Sequence, residues 1–270
     1  MRAQRLTTTD LPGGDVSRMS GHWLLARIGK RVLRPGGLAL TKRLLTSLAI
    51  DTSDDVVEFA PGLGTTARLI LKRGPRSYVG LERDIKAMNW AARRLPRRPS
   101  VAVAPGAADK TNLPGASVSV VLGEAMLTMA TPEQKGRIVA ESFRILRPGG
   151  RYGIHELCMV PDQIEQDQRW KIEQALYPIF RVGARPLPAQ EWKALLSGAG
   201  FHIVEIGYAP MHLLRLRRMI QDEGVVGALR MARNLLRDGE ARQRVLEMRN
   251  VLERYGENLR GIFIVAQKGS

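Results

Sequence analysis

The chain alternates short β-rich runs with longer helical patterns, and this alternation limits the folds that are open to it. Strands that are separated by helices pair in parallel and need helices on both faces of the sheet. The sequence therefore predicts an α/β fold with a doubly wound sheet of seven strands, mostly parallel, in which the last strand is antiparallel. The predicted strands are 56–59, 77–81, 101–104, 118–122, 151–157, 201–206 and 261–266.

Helix signals fill the gaps between these strands. The clearest begins at Thr131, a hydroxyl residue that precedes Pro132 and stands three positions before Gln134. A hydroxyl N-cap, a proline at the first helical position and a glutamine at the third are typical of a helix start. We predict that this helix runs to about residue 146, where Pro148 and the two glycines after it stop it.

Some regions do not follow the alternation of strands and helices, and they divide the chain into two predicted parts. Residues 1–50 form an N-terminal helical extension, or lid, with helical patterns at 23–33 and 38–48. Residues 51–270 form the main domain, which carries helical inserts at about 158–188 and 207–258. We expect the extension and the inserts to cover the open end of the sheet rather than to fold independently.

Composition excludes several classes of protein. A chain of 270 residues with 44% hydrophobic residues can bury a core without help from disulfides or metals. The apolar runs are far shorter than the roughly 20 residues that span a bilayer, and the N-terminal sequence has no apolar signal core. A single cysteine excludes an internal disulfide and a cysteine-based zinc site. We therefore predict a cytoplasmic protein with no metal site.

The charge balance is strongly basic, with 42 Lys and Arg against 26 Asp and Glu, which gives +16. The surplus lies in residues 1–50, 71–110 and 211–270, without the run of like charges that is typical of a nucleic-acid-binding tail. A nucleic-acid partner is therefore not favoured. Residues 211–236 combine leucines with arginines, as in helices that lie on anionic membranes, so a peripheral membrane contact stays open beside simple packing over the site.

A glycine-rich loop follows the first strand. Gly62-Leu-Gly-Thr-Thr-Ala67 matches the pattern G-x-G-x-x-A between a strand and a helix, and Glu82 ends the next strand. Glycines let the backbone approach a ligand, and a carboxylate at a strand end can accept hydrogen bonds from two ribose hydroxyls. The loop indicates a nucleotide-containing cofactor and, taken alone, fits a nicotinamide cofactor equally well.

Further motifs resemble the class I S-adenosylmethionine-dependent methyltransferases, which have a Rossmann-like fold. Glu58 stands four residues before Gly62 in the sequence EFAPGLG, which resembles the first motif of that family. VGLERD (79–84), ADKTNLP (108–114) and ESFRILRPGG (141–150) follow in the order and spacing of the family. The likeness extends over about residues 54–157 and points to the members that methylate quinones, polyketides or lipids.

The resemblance implies S-adenosylmethionine as the cofactor and assigns roles to single residues. Glu82 would bind the ribose hydroxyls, Arg83 would flank the adenine, and Asp109 would accept from the adenine amino group. Glu58 would act near the methionine ammonium. The residues expected at the cofactor are Glu58, Ala60, Pro61, Gly62, Gly64, Glu82, Arg83, Ala108, Asp109 and Glu124.

Two positions depart from the family pattern. Ala60 stands where the family usually has glycine, and Ser119 stands where many members have an aspartate. Ala60 suggests a locally different loop, and Ser119 puts the fine geometry of the loop in question. With no obvious base in the sequence, these departures leave open a cofactor-binding module without transfer activity.

Glu124 and His155 are the candidate catalytic residues, since they follow or end strands at the edge where the crevice of such a sheet lies. A histidine could take a proton from a phenol, enol or hydroxyl group. His155 also fits a buried place in the sheet wall, and His22 is a weaker candidate in the N-terminal extension.

The acceptor is predicted to be a small, largely apolar molecule. Strand four lacks the Asn-Pro-Pro-Tyr-like motif of amino-methylating DNA and RNA enzymes, whereas the inserts supply Met, Leu, Trp and Tyr side chains. An RNA or protein methyltransferase that uses the basic surface is the alternative. The sequence predicts no oligomeric state.

Overall fold

One eight-stranded sheet runs through the computed structural model, which describes residues 15–269. Its strands are β1 (Asp55–Phe59), β2 (Ser77–Glu82), β3 (Val101–Pro105), β4 (Val118–Glu124), β5 (Leu146–Met159), β6 (Leu187–Pro188), β7 (Phe201–Pro210) and β8 (Leu259–Lys268). Seven of them follow the order β3-β2-β1-β4-β5-β8-β7, and β6 pairs with β5. The predicted α/β sheet is confirmed, with one two-residue strand more than the seven expected.

The directions of the strands also follow the prediction. β1 pairs in parallel with β2 and β4, and the pairs β2–β3 and β4–β5 are parallel as well. β8 is antiparallel to both of its neighbours, β5 and β7. Strands β1, β2, β4 and β5 therefore bring their carboxyl ends to one edge of the sheet, which is where ligands bind in folds of this kind.

Nine α-helices are described within residues 15–269. They are α1 (Gly21–Arg27), α2 (Gly37–Ser47), α3 (Thr65–Leu71), α4 (Ile85–Ala92), α5 (Pro132–Ile145), α6 (Gln166–Phe180), α7 (Ala189–Gly198), α8 (Leu216–Arg237) and α9 (Gly239–Arg254). The capping box at Thr131 is confirmed, because its hydroxyl accepts from the Gln134 N–H while the Gln134 side chain accepts from the Thr131 N–H. No helix in this part of the chain is both long and apolar enough to cross a membrane.

Some predicted boundaries were wrong. The Pro-Gly-Gly segment at 148–150 does not separate α5 from the fifth strand, since β5 already begins at Leu146 and includes these residues, with an irregular register opposite Val118. Helix α1 ends at Arg27 instead of residue 33, because Gly29 adopts a positive φ of 108° that a helix cannot contain. Residues 1–14 of the predicted extension lie outside the described residues.

The helices outside the alternation cover the carboxyl edge of the sheet. Leu24 of α1, Ile172 of α6 and Met248 of α9 are completely buried in one apolar cluster. Helix α2 packs on the sheet at Gly153, where an added Cβ would lie 2.9 Å from the side chains of Leu44 and Leu48. Helices α1, α6 and α9 thus form a cover above the strand ends, whereas α2 lies on one face of the sheet.

Candidate functional site

A cavity of about 470 Å³ lies at the carboxyl edge of the sheet, beneath this cover. Its size is that of a site for a cofactor or small ligand. Nine of the ten residues predicted to contact a cofactor line it: Glu58, Ala60, Pro61, Gly62, Glu82, Arg83, Ala108, Asp109 and Glu124. Gly64 does not.

The loop after β1 is shaped by backbone conformations that side chains rarely adopt. Ala60, Gly62 and Gly64 have φ values of 50°, 52° and 69°. Ala60 thus takes a left-handed conformation that glycine adopts freely, at a strain of roughly 1 kcal/mol, and its N–H donates to the Leu81 carbonyl at 2.8 Å. Gly64 is the N-cap of α3, and an added Cβ there would face Ala91 rather than the cavity.

Glu82 is held at the end of β2 by backbone groups. Its Oε2 accepts from the Gly62 N–H and its Oε1 from the Asp84 N–H, both at 3.1 Å. Burial raises the pKa of this carboxyl above its usual value. A carboxylate oxygen can accept more than one hydrogen bond, so each oxygen can still accept from one of two neighbouring hydroxyls on a ligand.

Glu58 is a buried carboxyl beneath the same loop. The Tyr78 hydroxyl donates to its Oε2 at 2.6 Å, and only 4% of the residue is exposed. Burial raises the pKa of Glu58 to about 8, and the nearby charge of Glu124 acts in the same direction. A cationic ligand group in the cavity would stabilise the ionised form.

Replacing Glu58 by glutamine is expected to change how stability depends on pH. Between the usual pKa of 4.5 and the raised value of about 8, the folded state holds a proton that the unfolded state has lost, so the carboxyl destabilises the fold as the pH rises. We expect Glu58→Gln to gain about 2–3 kcal/mol over wild type between pH 6 and pH 8.

Urea denaturation of both proteins between pH 6 and pH 8 measures that gain. Titratable groups that the two proteins share contribute equally to both free energies of unfolding, so their contributions cancel in the difference. Exposed Glu240→Gln serves as the control and should track wild type at every pH. A constant difference between Glu58→Gln and wild type would contradict the prediction.

Glu124 is the centre of a buried polar network. Arg34 and Thr66 both donate to its Oε2, and Arg34 also donates to the Thr66 hydroxyl. The Thr41 hydroxyl donates to Oε1 at 2.7 Å, the same distance as from Oε1 to Nδ1 of His155. Both oxygens of Glu124 thus have two partners each.

These contacts decide the protonation of Glu124. Burial alone would raise its pKa, but the charges of Arg34 and His155 outweigh burial and lower the pKa to about 2. An ionised carboxylate with so low a pKa and four partners is a poor general base. The structure therefore places Glu124 at the cavity as an anchor for Arg34, and the geometry does not support its predicted catalytic role.

His155 lies outside the cavity lining, with its side chain completely buried. Its Nδ1 faces the Glu124 carboxylate and its Nε2 faces the Pro35 carbonyl. Both ring nitrogens are therefore engaged with buried oxygens of the protein, and neither faces the cavity. The prediction of His155 as a catalytic base is therefore corrected: the side chain ties the sheet to the segment before α2.

Two other positions have structural roles. Glu156 accepts from the backbone of Met126, Leu127 and Thr128 and so shapes the turn after β4. The Ser119 hydroxyl donates to Asp54 at the amino end of β4, away from the loop it was expected to disturb.

The end of the cavity beside β3 is formed by Arg83, Ala108 and Asp109. Arg83 is exposed, and Oδ2 of Asp109 accepts from Nε of Arg137 at 3.3 Å. His22 also lines the cavity; burial lowers its pKa to about 4, while the charge of Asp84 opposes the shift. His22 is therefore a neutral ring near the residues after β2.

The remaining lining is mostly apolar. It comes from the N-terminal segment, the turn after β4, the loop after α6 and the start of the last insert. Its large apolar side chains include Trp23, Leu25, Leu33, Met126, Met129, Phe180, Val182 and Leu213, and Arg31 and Arg34 also line the cavity. A ligand in this part of the cavity would be held by apolar contacts rather than by charge.

Sequence reasoning missed Arg34 and the two threonines of the network. Thr66 is a variable position of the glycine-rich loop, Thr41 is one polar residue in an amphipathic helix, and Arg34 is one of many arginines. Only the packing of residues 34–41 against β4 and β5 shows that they belong to the site. Among residues 15–269, no group of His, Cys, Asp or Glu is placed to hold a metal ion.

Comparisons with known proteins find similarity in the part of the chain that contains the loop after β1 and in the fold as a whole. A family model for a methyltransferase domain matches residues 56–150. An uncharacterized protein of Haemophilus influenzae is 30% identical over 251 residues, which cover 92% of this chain and 98% of the relative.

Two solved structures resemble the chain over most of its length. The [4+2]-cyclase SpnF has a TM-score of 0.69 at 16% identity, with 96% of this chain and 98% of the other covered. Phosphoethanolamine N-methyltransferase 2 of Haemonchus contortus, in complex with phosphomonomethylethanolamine and S-adenosylhomocysteine, has a TM-score of 0.69 at 15% identity, with 93% and 57% covered.

Proposed function

Because the chain belongs to the class I S-adenosylmethionine-dependent methyltransferases, we propose that it methylates a small, largely apolar acceptor. The reaction is O- or C-methylation of a quinone, polyketide or lipid-like molecule. The observation that carries this choice is the apolar lining at Phe180, Val182 and Leu213, beside a loop that fits the cofactor. We also propose that the enzyme works in the cytoplasm, since a single cysteine leaves no internal disulfide to form.

The cavity residues fit S-adenosylmethionine by their chemistry. The cofactor supplies an electrophilic methyl group on a sulfonium. Glu82 offers one oxygen to each of two ribose hydroxyls, and Glu58 offers a buried carboxyl to the methionine ammonium. Asp109 and Arg83 stand at the end of the cavity that would receive the adenine.

The acceptor must bring its own reactive electron pair. Arg34 and Glu124 are bound to each other, and His155 has no free nitrogen. Glu124 and His155 therefore provide no base for a neutral hydroxyl, and burial lowers the pKa of His22 to about 4, which makes that neutral ring a weak base. An acceptor that ionises easily, such as a phenol or an enol of a dicarbonyl, needs only to be placed in line and kept from water.

Mass spectrometry tests this function directly. A metabolite or lipid extract incubated with the enzyme and a cofactor that carries a deuterated methyl group should yield a product with the mass of one labelled methyl. Calorimetry with S-adenosylmethionine and S-adenosylhomocysteine tests the shared premise. Binding of NADH with no binding of either would overturn the assignment.

Replacing Glu82 by glutamine is expected to weaken cofactor binding about 100-fold. Hydrogen bonds to a charged group contribute about 1.5–3 kcal/mol each, and the two ribose bonds lose that charge. The backbone N–H groups of Gly62 and Asp84 hold the Glu82 carboxylate in a fixed orientation at the cavity. Calorimetry of Glu82→Gln against Glu240→Gln, an exposed position in α9, measures the change. Equal affinities in both variants would remove Glu82 from the cofactor site.

Two other functions have specific support. The +16 charge is the motive for an alternative acceptor, RNA or a protein, which predicts salt-sensitive RNA binding in a gel shift. The engagement of Glu124 and His155 with other residues is the motive for a second alternative, a cofactor-binding protein without transfer activity. Cofactor binding without any labelled product from extracts, RNA or protein would support the latter.

A further inference from the structure

Helix α8 exposes an unusual amount of apolar surface. Six of its large apolar side chains are exposed: Leu216 (63%), Ile220 (39%), Val225 (62%), Val226 (71%), Leu229 (65%) and Leu236 (75%). They make up half of the large apolar side chains that are exposed among residues 15–269. Single exposed leucines need no explanation, but a cluster on one helix indicates an interaction surface.

The spacing of these residues gives the helix two different stripes. Gly224, with φ 73° and ψ 168°, divides α8 into two helical pieces. In the second piece, Val225, Leu229 and Leu236 recur at helical spacing and so share one face. Arg230, Arg233 and Arg237 recur at spacings of three and four residues and so share a neighbouring face of the same piece. An exposed apolar stripe therefore runs beside a stripe of arginines. These two stripes together are called the outer face of α8.

The outer face carries positive charge without exposed carboxylates. Residues 215–237 contain six arginines, at positions 215, 217, 218, 230, 233 and 237. The two acidic residues of this segment, Asp222 and Glu223, point inward, with 1% and 3% of their side chains exposed, and pair with the buried Lys30.

We infer that the outer face of α8 docks on an anionic phospholipid bilayer. The apolar stripe enters the boundary between headgroups and acyl chains, while the arginines bind the phosphates. RNA fits less well, because residues 215–237 contain no aromatic side chain on which bases could stack. A second copy of the chain also fits less well, because a two-fold contact would set arginines against arginines.

The start of α8 lies close to the cavity. Leu213, three residues before α8, lines the cavity, and Asp222 and Glu223 hold the segment that supplies Arg34. A membrane-dissolved acceptor would therefore enter the cavity past the start of α8. This last step rests on the proposed function, whereas docking itself does not.

Vesicle co-sedimentation tests the docking. Vesicles of equal parts phosphatidylglycerol and phosphatidylcholine should carry the wild-type protein down at low salt, and vesicles of phosphatidylcholine alone should not. Replacing three arginines, in Arg230→Gln/Arg233→Gln/Arg237→Gln, should weaken binding about 100-fold. The apolar variant Val225→Ser/Leu229→Ser/Leu236→Ser should weaken it roughly tenfold or more.

A control variant with the same loss of charge distinguishes binding through the outer face of α8 from binding through the net charge of the protein. Arg93→Gln/Arg97→Gln/Arg98→Gln removes three exposed arginines beyond α4 and should bind like wild type. A dye on Leu229→Cys gives a second readout, because the native Cys158 is buried and will not react. Its emission should shift to the blue with anionic vesicles, while a dye on exposed Val204→Cys should not respond.

Three results would overturn the inference. The first is no sedimentation of the wild-type protein with anionic vesicles at low salt. The second is an equal loss of binding in the Arg93/Arg97/Arg98 variant, which would leave only net charge. The third is that the α8 variants abolish a dimer or an RNA shift while vesicle binding is absent or unchanged. Because no result depends on methyl transfer, failure here is distinct from failure of the proposed function.

Discussion

Replacing Arg34 by methionine is expected to lower the free energy of unfolding by about 3 kcal/mol at neutral pH. Methionine keeps much of the apolar stem but removes the charge that pairs with Glu124 and the donor to Thr66. The Glu124 carboxylate, 5% exposed, then keeps only the hydroxyls of Thr41 and Thr66 and the ring of His155 as partners. Breaking a buried ion pair from one side typically costs 3–5 kcal/mol, and access of water from the cavity places this pair at the lower end.

Urea denaturation of matched variants measures this loss. Arg31→Met is the control, because Arg31 also lines the cavity but has an exposed side chain, so its loss should stay within about 0.5 kcal/mol. Arg34→Lys should recover part of the stability, since a point charge remains but the fork that reaches Thr66 and Glu124 together is gone. A loss at Arg34 no greater than at Arg31 would show that the network is not a stabilising one.

The cofactor loop could be predicted because its signals are local. Gly62 follows β1 and Glu82 is the last residue of β2, and hydrophobic patterns identify both strands well. The start of α5 at Pro132 was predicted for the same reason, since a capping box involves neighbours only. Such features follow from a few adjacent residues, whatever the rest of the chain does.

The network around Glu124 could not be predicted because it joins distant parts of the chain. Arg34 and Glu124 are 90 residues apart, and His155 meets the Pro35 carbonyl across 120 residues. No periodic pattern encodes these pairs. The same limit explains why Glu124 and His155 were predicted as catalytic: their places at the strand ends were right, but their partners come from the segment before α2.

Lys30 is the counterpart of Arg34 on the outer side of the same segment. Its side chain is completely buried, with Nζ 3.5 Å from Asp222 and 3.8 Å from Glu223. Asp222 also accepts from the Leu38 N–H, and Glu223 from the N–H groups of Arg31 and Val32. Helix α8 thus holds residues 30–38 in place, and these residues carry Arg34 to the cavity.

We expect Lys30→Met to lower the free energy of unfolding by about 3–5 kcal/mol, the larger of the two losses. Burial lowers the pKa of Lys30, while the charges of Asp222 and Glu223 act in the opposite direction, so the charged amine depends on both acids. Without it, two adjacent carboxylates remain buried and repel each other. Urea denaturation measures the loss, and Lys42→Met, an exposed site on α2, should cost less than about 0.5 kcal/mol.

A double-mutant cycle identifies the origin of that loss. Adding Asp222→Asn to Lys30→Met removes one of the unpaired charges, so the double variant should be more stable than Lys30→Met by at least about 1 kcal/mol. Strictly additive effects of the two substitutions would contradict the ion pair. Cofactor affinity should follow the same order, with Lys30→Met weakest, because residues 30–38 must be ordered before Arg34 can complete the cavity. An affinity equal to that of Lys42→Met would mean that α8 does not control the segment at the cofactor.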